Sequence, residues 1–126
     1  MSKIKINTDK APAAIGPYSQ GIKTGNLLFT SGQLPIDPTT GKLSEGTIEE
    51  QAHIAFGNLK AIAEAAGTNL DNAVKVTVFL ADIANFKSVN TVYAEYFMEP
   101  FPARSAFQVA ALPLGAALEV EAVLEL

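Results

Sequence analysis

Between Thr47 and Gly67 the residues Ala52, Ala55, Phe56, Leu59, Ile62, Ala63 and Ala66 recur at three- and four-residue intervals. That spacing predicts one amphipathic helix with a single apolar stripe. Thr47 stands at the N-cap position with Glu50 three residues on, the spacing of a capping box, and Glu49 adds negative charge to the first turn. A stripe of this length needs a flat apolar surface to lie on, so the rest of the chain has to supply a sheet.

The strands follow from that requirement. AVKVTVFLA (73–81) is a strong candidate, with Val74, Val76, Val78 and Leu80 on one face. Asp82 then caps a second helix to about Met98, which Pro100 and Pro102 stop. Upstream, residues 3–6 alternate as a strand. AAIGPYSQG (13–21) turns into a second strand near Ser19–Thr24, and Gly25-Asn26 supplies a tight turn into the apolar run LLFTSG (27–32). LPIDPTTGKLSEG (34–46), with two prolines and two glycines, reads as an irregular surface loop. Two further strands, roughly 103–110 and 118–125, are separated by LPLGAA and read as a hairpin with a longer loop.

The order β-β-β-α-β-α-β-β predicts an α+β sandwich, a mixed sheet with two helices on one face. Its 126 residues, 48% hydrophobic and 17% charged, suit a single domain over 1–126 with ample core and neither repeats nor low-complexity tracts. Helices on one side leave the other side open, where Phe29, Phe79, Phe107 and Val123 fall. An open apolar face predicts a closed homo-oligomer with pockets between subunits.

Composition narrows the chemistry. The sequence contains no cysteine, which excludes disulfides, thiolate nucleophiles and thiolate-bound metals, and its single histidine cannot build a histidine metal site. A net charge of −4 opposes binding to a phosphate backbone, so nucleic acid is a poor candidate partner. No apolar run approaches membrane-spanning length and MSKIKINTDK does not follow the order of a secretory signal. A soluble, cytoplasmic protein is expected.

Arg104 stands out as a permanent charge within an apolar strand, where it needs an anionic partner. Two partners are open: a structural ion pair with Glu119 or Glu121, or a carboxylate ligand that the planar guanidinium grips with paired donors. Glu119, Glu121 and Glu125 line one face of LEVEAVLEL (118–126), and for the last two a solvated face suffices. The hairpin reading separates Arg104 from Glu119 by about 16 Å along the strands, so a site that used both would span a subunit boundary. Tyr18 follows a Gly-Pro turn, and Ser31-Gly32 ends a strand where backbone groups can be free for a ligand. Turn and packing are the commoner roles for such residues, and an ordinary exposed helical amide explains Asn90. His53 reads as a surface side chain. The sequence has no nucleophile elbow, no GxGxxG and no phosphate loop.

GPYSQG (16–21), TSGQLP (30–35), TVFLAD (77–82), VNTVYAEYF (89–97) and PARSAFQVAALP (102–113), followed by LEVEA, together resemble the RidA family of reactive-intermediate deaminases, also called the YjgF type. The likeness runs nearly end to end. It implies a chorismate-mutase-like α+β fold, a homotrimer with ligand pockets at the subunit interfaces, and no cofactor. It also implies a reaction, hydrolysis of 2-aminoacrylate, 2-iminopropanoate or 2-iminobutanoate to a 2-keto acid and ammonia. Arg104 would hold the substrate carboxylate, Glu119 would orient or deprotonate water, and Tyr18, Ser31, Gly32 and Asn90 would line the pocket. Many relatives carry cysteine two residues after this arginine; here the position is Ala106. Two rival functions are a non-catalytic regulator that binds small carboxylic acids, and the ribonuclease or translation-inhibitor activity attributed to some relatives.

Overall fold

A computed structural model describes residues 2–126. The strands β1 (Ile4–Ile6), β2 (Gly21–Thr24), β3 (Leu27–Thr30), β4 (Ala73–Leu80), β5 (Ala103–Gln108) and β6 (Leu118–Glu125) form one sheet in the order β1-β2-β3-β6-β4-β5. All neighbours are antiparallel except β4 and β5, which run parallel. The sheet is therefore mixed, as expected, but the expected hairpin of the last two strands does not form. β4 lies between them. The physical reason is the second helix: a strand that follows a helix by way of a crossover returns parallel to the strand before that helix. β6 then fills the remaining edge of β4 and joins it to β3.

The first helix, α1 (Ile48–Ala65), begins with the predicted capping box. Glu50 N donates to Thr47 Oγ1 at 3.1 Å, and Thr47 N donates to Glu50 Oε1 at 3.2 Å. Every residue of the predicted stripe is buried. It packs on Leu28, Val76, Val78, Leu80, Leu118, Val120 and Leu124, the inward residues of the central strands, to make one continuous core. Asn58 on the same helix is buried too, and its Nδ2 donates to the carbonyls of Leu34 and Ile36 at 3.2 and 2.8 Å. The 34–46 loop is thereby tied to the helix, and a bridge between Ile36 and Leu43 folds it back on itself.

The second helix, α2 (Phe86–Tyr96), is shorter than expected. Asp82 does cap, but it accepts from Ala84 N at 2.9 Å in a 3-10 turn, Ile83–Asn85, ahead of the helix. Val74 points away from the core because the β4–β6 register shifts between Ala73 and Lys75, a bulge that puts Ala73 inside instead. In LLFTSG only Leu28 is deeply buried. The far face of the sheet is open, as predicted: Phe29 is 43% exposed and Phe107 45%.

Candidate functional site

Arg104 lies on edge strand β5 level with Val76, so its side chain shares the helix-covered face. The helix it meets is α2. Arg104 Nη1 donates to Asn90 Oδ1 at 2.5 Å, and the guanidinium carbon sits 4.6 Å from the centre of the Tyr93 ring. These residues, with Ala94, Phe101 and Pro102, line a cavity of about 310 Å3. Neither glutamate weighed as a structural partner reaches the arginine. His53 Nε2 lies 3.7 Å from Glu95 Oε2 on the surface, where His53 Nδ1 also meets the Tyr96 hydroxyl. Arg104 itself is exposed rather than enclosed in an apolar strand, because β5 is the sheet edge. It presents charge-assisted donors that no carboxylate among the described residues reaches.

The second cluster forms where β3 runs out. Gln33 N donates to Val120 O at 2.7 Å, and Val120 N returns the bond at 3.0 Å, so the chain after β3 stays pinned to β6. That bridge presses Gly32 against Glu119: a Cβ on Gly32 would stand 2.7 Å from Glu119 Cδ and 2.8 Å from its Oε2. Only glycine leaves room for the carboxyl. Burial lifts the Glu119 carboxyl above the usual glutamate range, and the charge of Glu121, two residues along the same face, adds to the rise. Ser31 donates its hydroxyl to Ser19 O at 2.5 Å. Tyr18 is exposed at the mouth of a cavity of about 330 Å3 that Gly32, Ile15, Leu34 and Leu114 also line.

Gln20 holds this second cluster in place, and sequence reading passed over it. Its buried amide accepts from Thr8 N at 2.7 Å and donates to Thr8 O and Pro12 O at 3.0 and 2.8 Å. The segment leading to Tyr18 is thus bound to the start of β2. The signal available was a glutamine beside the Gly-Pro turn, and no pattern marks such a residue as buried.

The two clusters do not meet within one chain. Glu119 pairs in register with Phe79, on the open face, whereas Arg104 pairs with Val76 beneath the helices, and β4 separates the two strands. Tyr18, Ser31, Gly32 and Glu119 lie in one cluster, and Arg104 with Asn90 in the other.

The family model described as endoribonuclease L-PSP, the YjgF or RidA type, matches residues 8–126. The chain belongs to this family. A RidA-family relative from Bos taurus, named 2-iminobutanoate/2-iminopropanoate deaminase, is 52% identical over 94% of this chain and 86% of its own length. The solved structure of RidA from an Antarctic Psychrobacter superposes with a TM-score of 0.93 at 50% identity, covering 98% of this chain and 99% of that one. TdcF of E. coli, solved with bound serine, gives 0.92 at 40% identity over 98% of each chain. The RidA-like sandwich expected from the resemblance is therefore the fold observed, and the relatives support the reactive-intermediate deaminase family. Among the described residues no cluster of His, Asp or Glu could hold a metal ion, and no helix is long and apolar enough to cross a membrane.

Proposed function

We propose that this protein hydrolyses small 2-imino acids, the tautomers of 2-aminoacrylate and its homologues, to 2-keto acids and ammonia. The observation that carries the reading is the pairing of chemistries in the two half-sites. One holds a guanidinium bonded to Asn90 that no carboxylate among the described residues reaches; the other holds a glutamate with a raised pKa. A 2-imino acid needs both, one for its carboxylate and one for its water.

Arg104 grips the carboxylate. Glu119 accepts a proton from water as the water oxygen bonds to C2, while the C=N electron pair moves to nitrogen and the nitrogen gains a proton. Glu119 hands the water proton to that nitrogen, and the tetrahedral carbinolamine then collapses: Glu119 takes the hydroxyl proton and returns it to nitrogen, the C–N bond breaks, and ammonia leaves with the keto acid behind. A carboxyl whose pKa lies nearer the operating pH exchanges protons in both directions more readily than an ordinary glutamate. Fixing the electrophile beside the water supplies much of the remaining rate without a covalent intermediate.

The half-sites lie on opposite faces of one sheet, so the reading requires two copies. The apolar open face, with Phe29, Phe79 and Phe107, supports a closed homo-oligomer, and a trimer is the form the resemblance implies. The serine-bound TdcF supports a pocket for a small carboxylic acid. The endoribonuclease name of the family model is the competing label; a net charge of −4 argues against RNA as substrate.

The test couples the protein to an amino-acid oxidase or a dehydratase and follows keto-acid release from the imine. Wild type should accelerate release, and Arg104→Ala and Glu119→Gln should each lose most of the acceleration. Pure wild type without effect, or Arg104→Ala indistinguishable from it, would sink the proposal. Binding of 2-ketobutyrate without any turnover would favour the regulatory rival.

A further inference from the structure

We infer that Phe86 and Tyr93 are positioning residues for Arg104, their ring faces holding the guanidinium plane in the orientation that receives a carboxylate. The inference rests on the role of Arg104 proposed above.

Phe86, Asn90 and Tyr93 are spaced i, i+4 and i+7 along α2, so they form one stripe over two turns, about 10.5 Å of helix. All three touch the same side chain. The guanidinium carbon of Arg104 stands over the Phe86 ring at 5.3 Å and over the Tyr93 ring at 4.6 Å, and both distances fall inside the cation–π range of about 6 Å. Asn90 accepts from Nη1 at the middle of the stripe. An arginine on an exposed strand edge would otherwise sample many rotamers and lose that freedom when a ligand binds. Three contacts from one rigid element remove most of it beforehand.

The rings act through their faces. Tyr93 is only 6% exposed, and its hydroxyl has no hydrogen-bond partner among the described residues. The contact Tyr93 makes with Arg104 is through its ring face. The Tyr93 and Phe97 rings stack at 4.4 Å, and Phe56 meets Tyr93 edge-on at 5.8 Å, so the ring under Arg104 is itself held by the core.

Arg104 is the only arginine in the sequence, which makes the test direct. Its Nε–Hε pair gives a single signal in nitrogen-edited proton NMR, and aromatic faces on the guanidinium displace that proton upfield. Wild type should show the upfield shift. Phe86→Leu and Tyr93→Leu should move the signal toward that of free arginine and weaken 2-ketobutyrate binding about tenfold. Tyr93→Phe, which keeps the ring, should retain the shift and the affinity, whereas a general loss of packing tested by Val92→Ala should leave the Arg104 signal in place.

A wild-type signal at the free-arginine position would overturn the inference. So would leucine variants that are folded by circular dichroism and bind 2-ketobutyrate as wild type does, while Arg104→Ala has lost it. If Arg104→Ala itself still binds and turns over normally, the functional reading of Arg104 falls and this inference falls with it.

Discussion

At the scale of single residues Gly32 and Glu119 are fitted to each other, because the carboxyl occupies the space that a side chain at position 32 would enter. Gly32→Ala should therefore displace the Glu119 carboxyl and lower turnover by about tenfold or more, as small misplacements of a reacting group do. The displaced atoms are the far end of a flexible side chain, so the melting temperature should hardly move. A parallel loss of both would place the defect in folding instead. Protonation offers a second handle. Burial raises the Glu119 pKa above its reference of 4.5, so the fold favours the neutral acid. The stability this contributes is complete below the unfolded value and is lost as pH rises through the raised folded value. Glu119→Gln should thus gain melting temperature relative to wild type as pH climbs from below 4.5 to neutral, while losing activity. Glu121→Gln removes the second cause of the rise, so the acid limb of the pH–rate profile should shift to lower pH. An unmoved limb would mean that Glu121 does not sense Glu119. At this scale the sequence was legible in residue types: a guanidinium and an acidic strand face could be picked out. Asn90 could be named only through the family resemblance, and Gln20 was not picked out, because both acquire meaning from the carbonyls, amides and charges that folding brings to them.

Elements were the most legible level where local chemistry alone decides, and α1 is the clearest case. Its capping box satisfies backbone N–H groups that the first turn leaves open. Thr47→Ala should cost about 1 kcal/mol in urea denaturation, with an unchanged dependence on denaturant; no loss would mean that water replaces the cap without cost. The strands were found where expected, but the facing of Val74 and the pairing of the last two strands were not. Val74 continues the alternation of Val76 and Val78, but the bulge at Ala73/Lys75 turns it outward, and nothing in a run of β-branched residues announces a bulge. The hairpin assigned to β5 and β6 overlooked a signal that was present: β4, α2 and β5 are a strand, a helix and a strand in succession, the pattern of a parallel crossover. Reading that unit first would have placed Arg104 on an edge strand under α2. The i, i+4, i+7 set of Phe86, Asn90 and Tyr93 would then have become its neighbourhood.

For the whole molecule, the decisive geometry is that Arg104 and Glu119 stand on opposite faces of one sheet. A site built between copies draws Arg104 from one chain and Glu119 from the next. Mixing settles whether it does. Arg104→Ala chains retain Glu119, Glu119→Gln chains retain Arg104, and either alone should be nearly inactive. After unfolding and refolding together in equal amounts, a closed ring places a chain with Arg104 beside a chain with Glu119 at one half times one half of its interfaces. About a quarter of wild-type turnover should return. A site contained within one chain returns none, since no chain in the mixture has both groups. Phe29→Asp probes the same assembly from its apolar side. Phe29 is half in water on the isolated chain, so an aspartate there is tolerated by the monomer, but a charge buried between copies is not. Light scattering should then report a mass near 13.3 kDa, and turnover should vanish although Arg104 and Glu119 are untouched. A Phe29→Asp protein that stays assembled, or one that is monomeric and fully active, would remove the open face from the site. Of the two experiments, mixing carries the greater weight, because only a shared site can convert two dead chains into a working one.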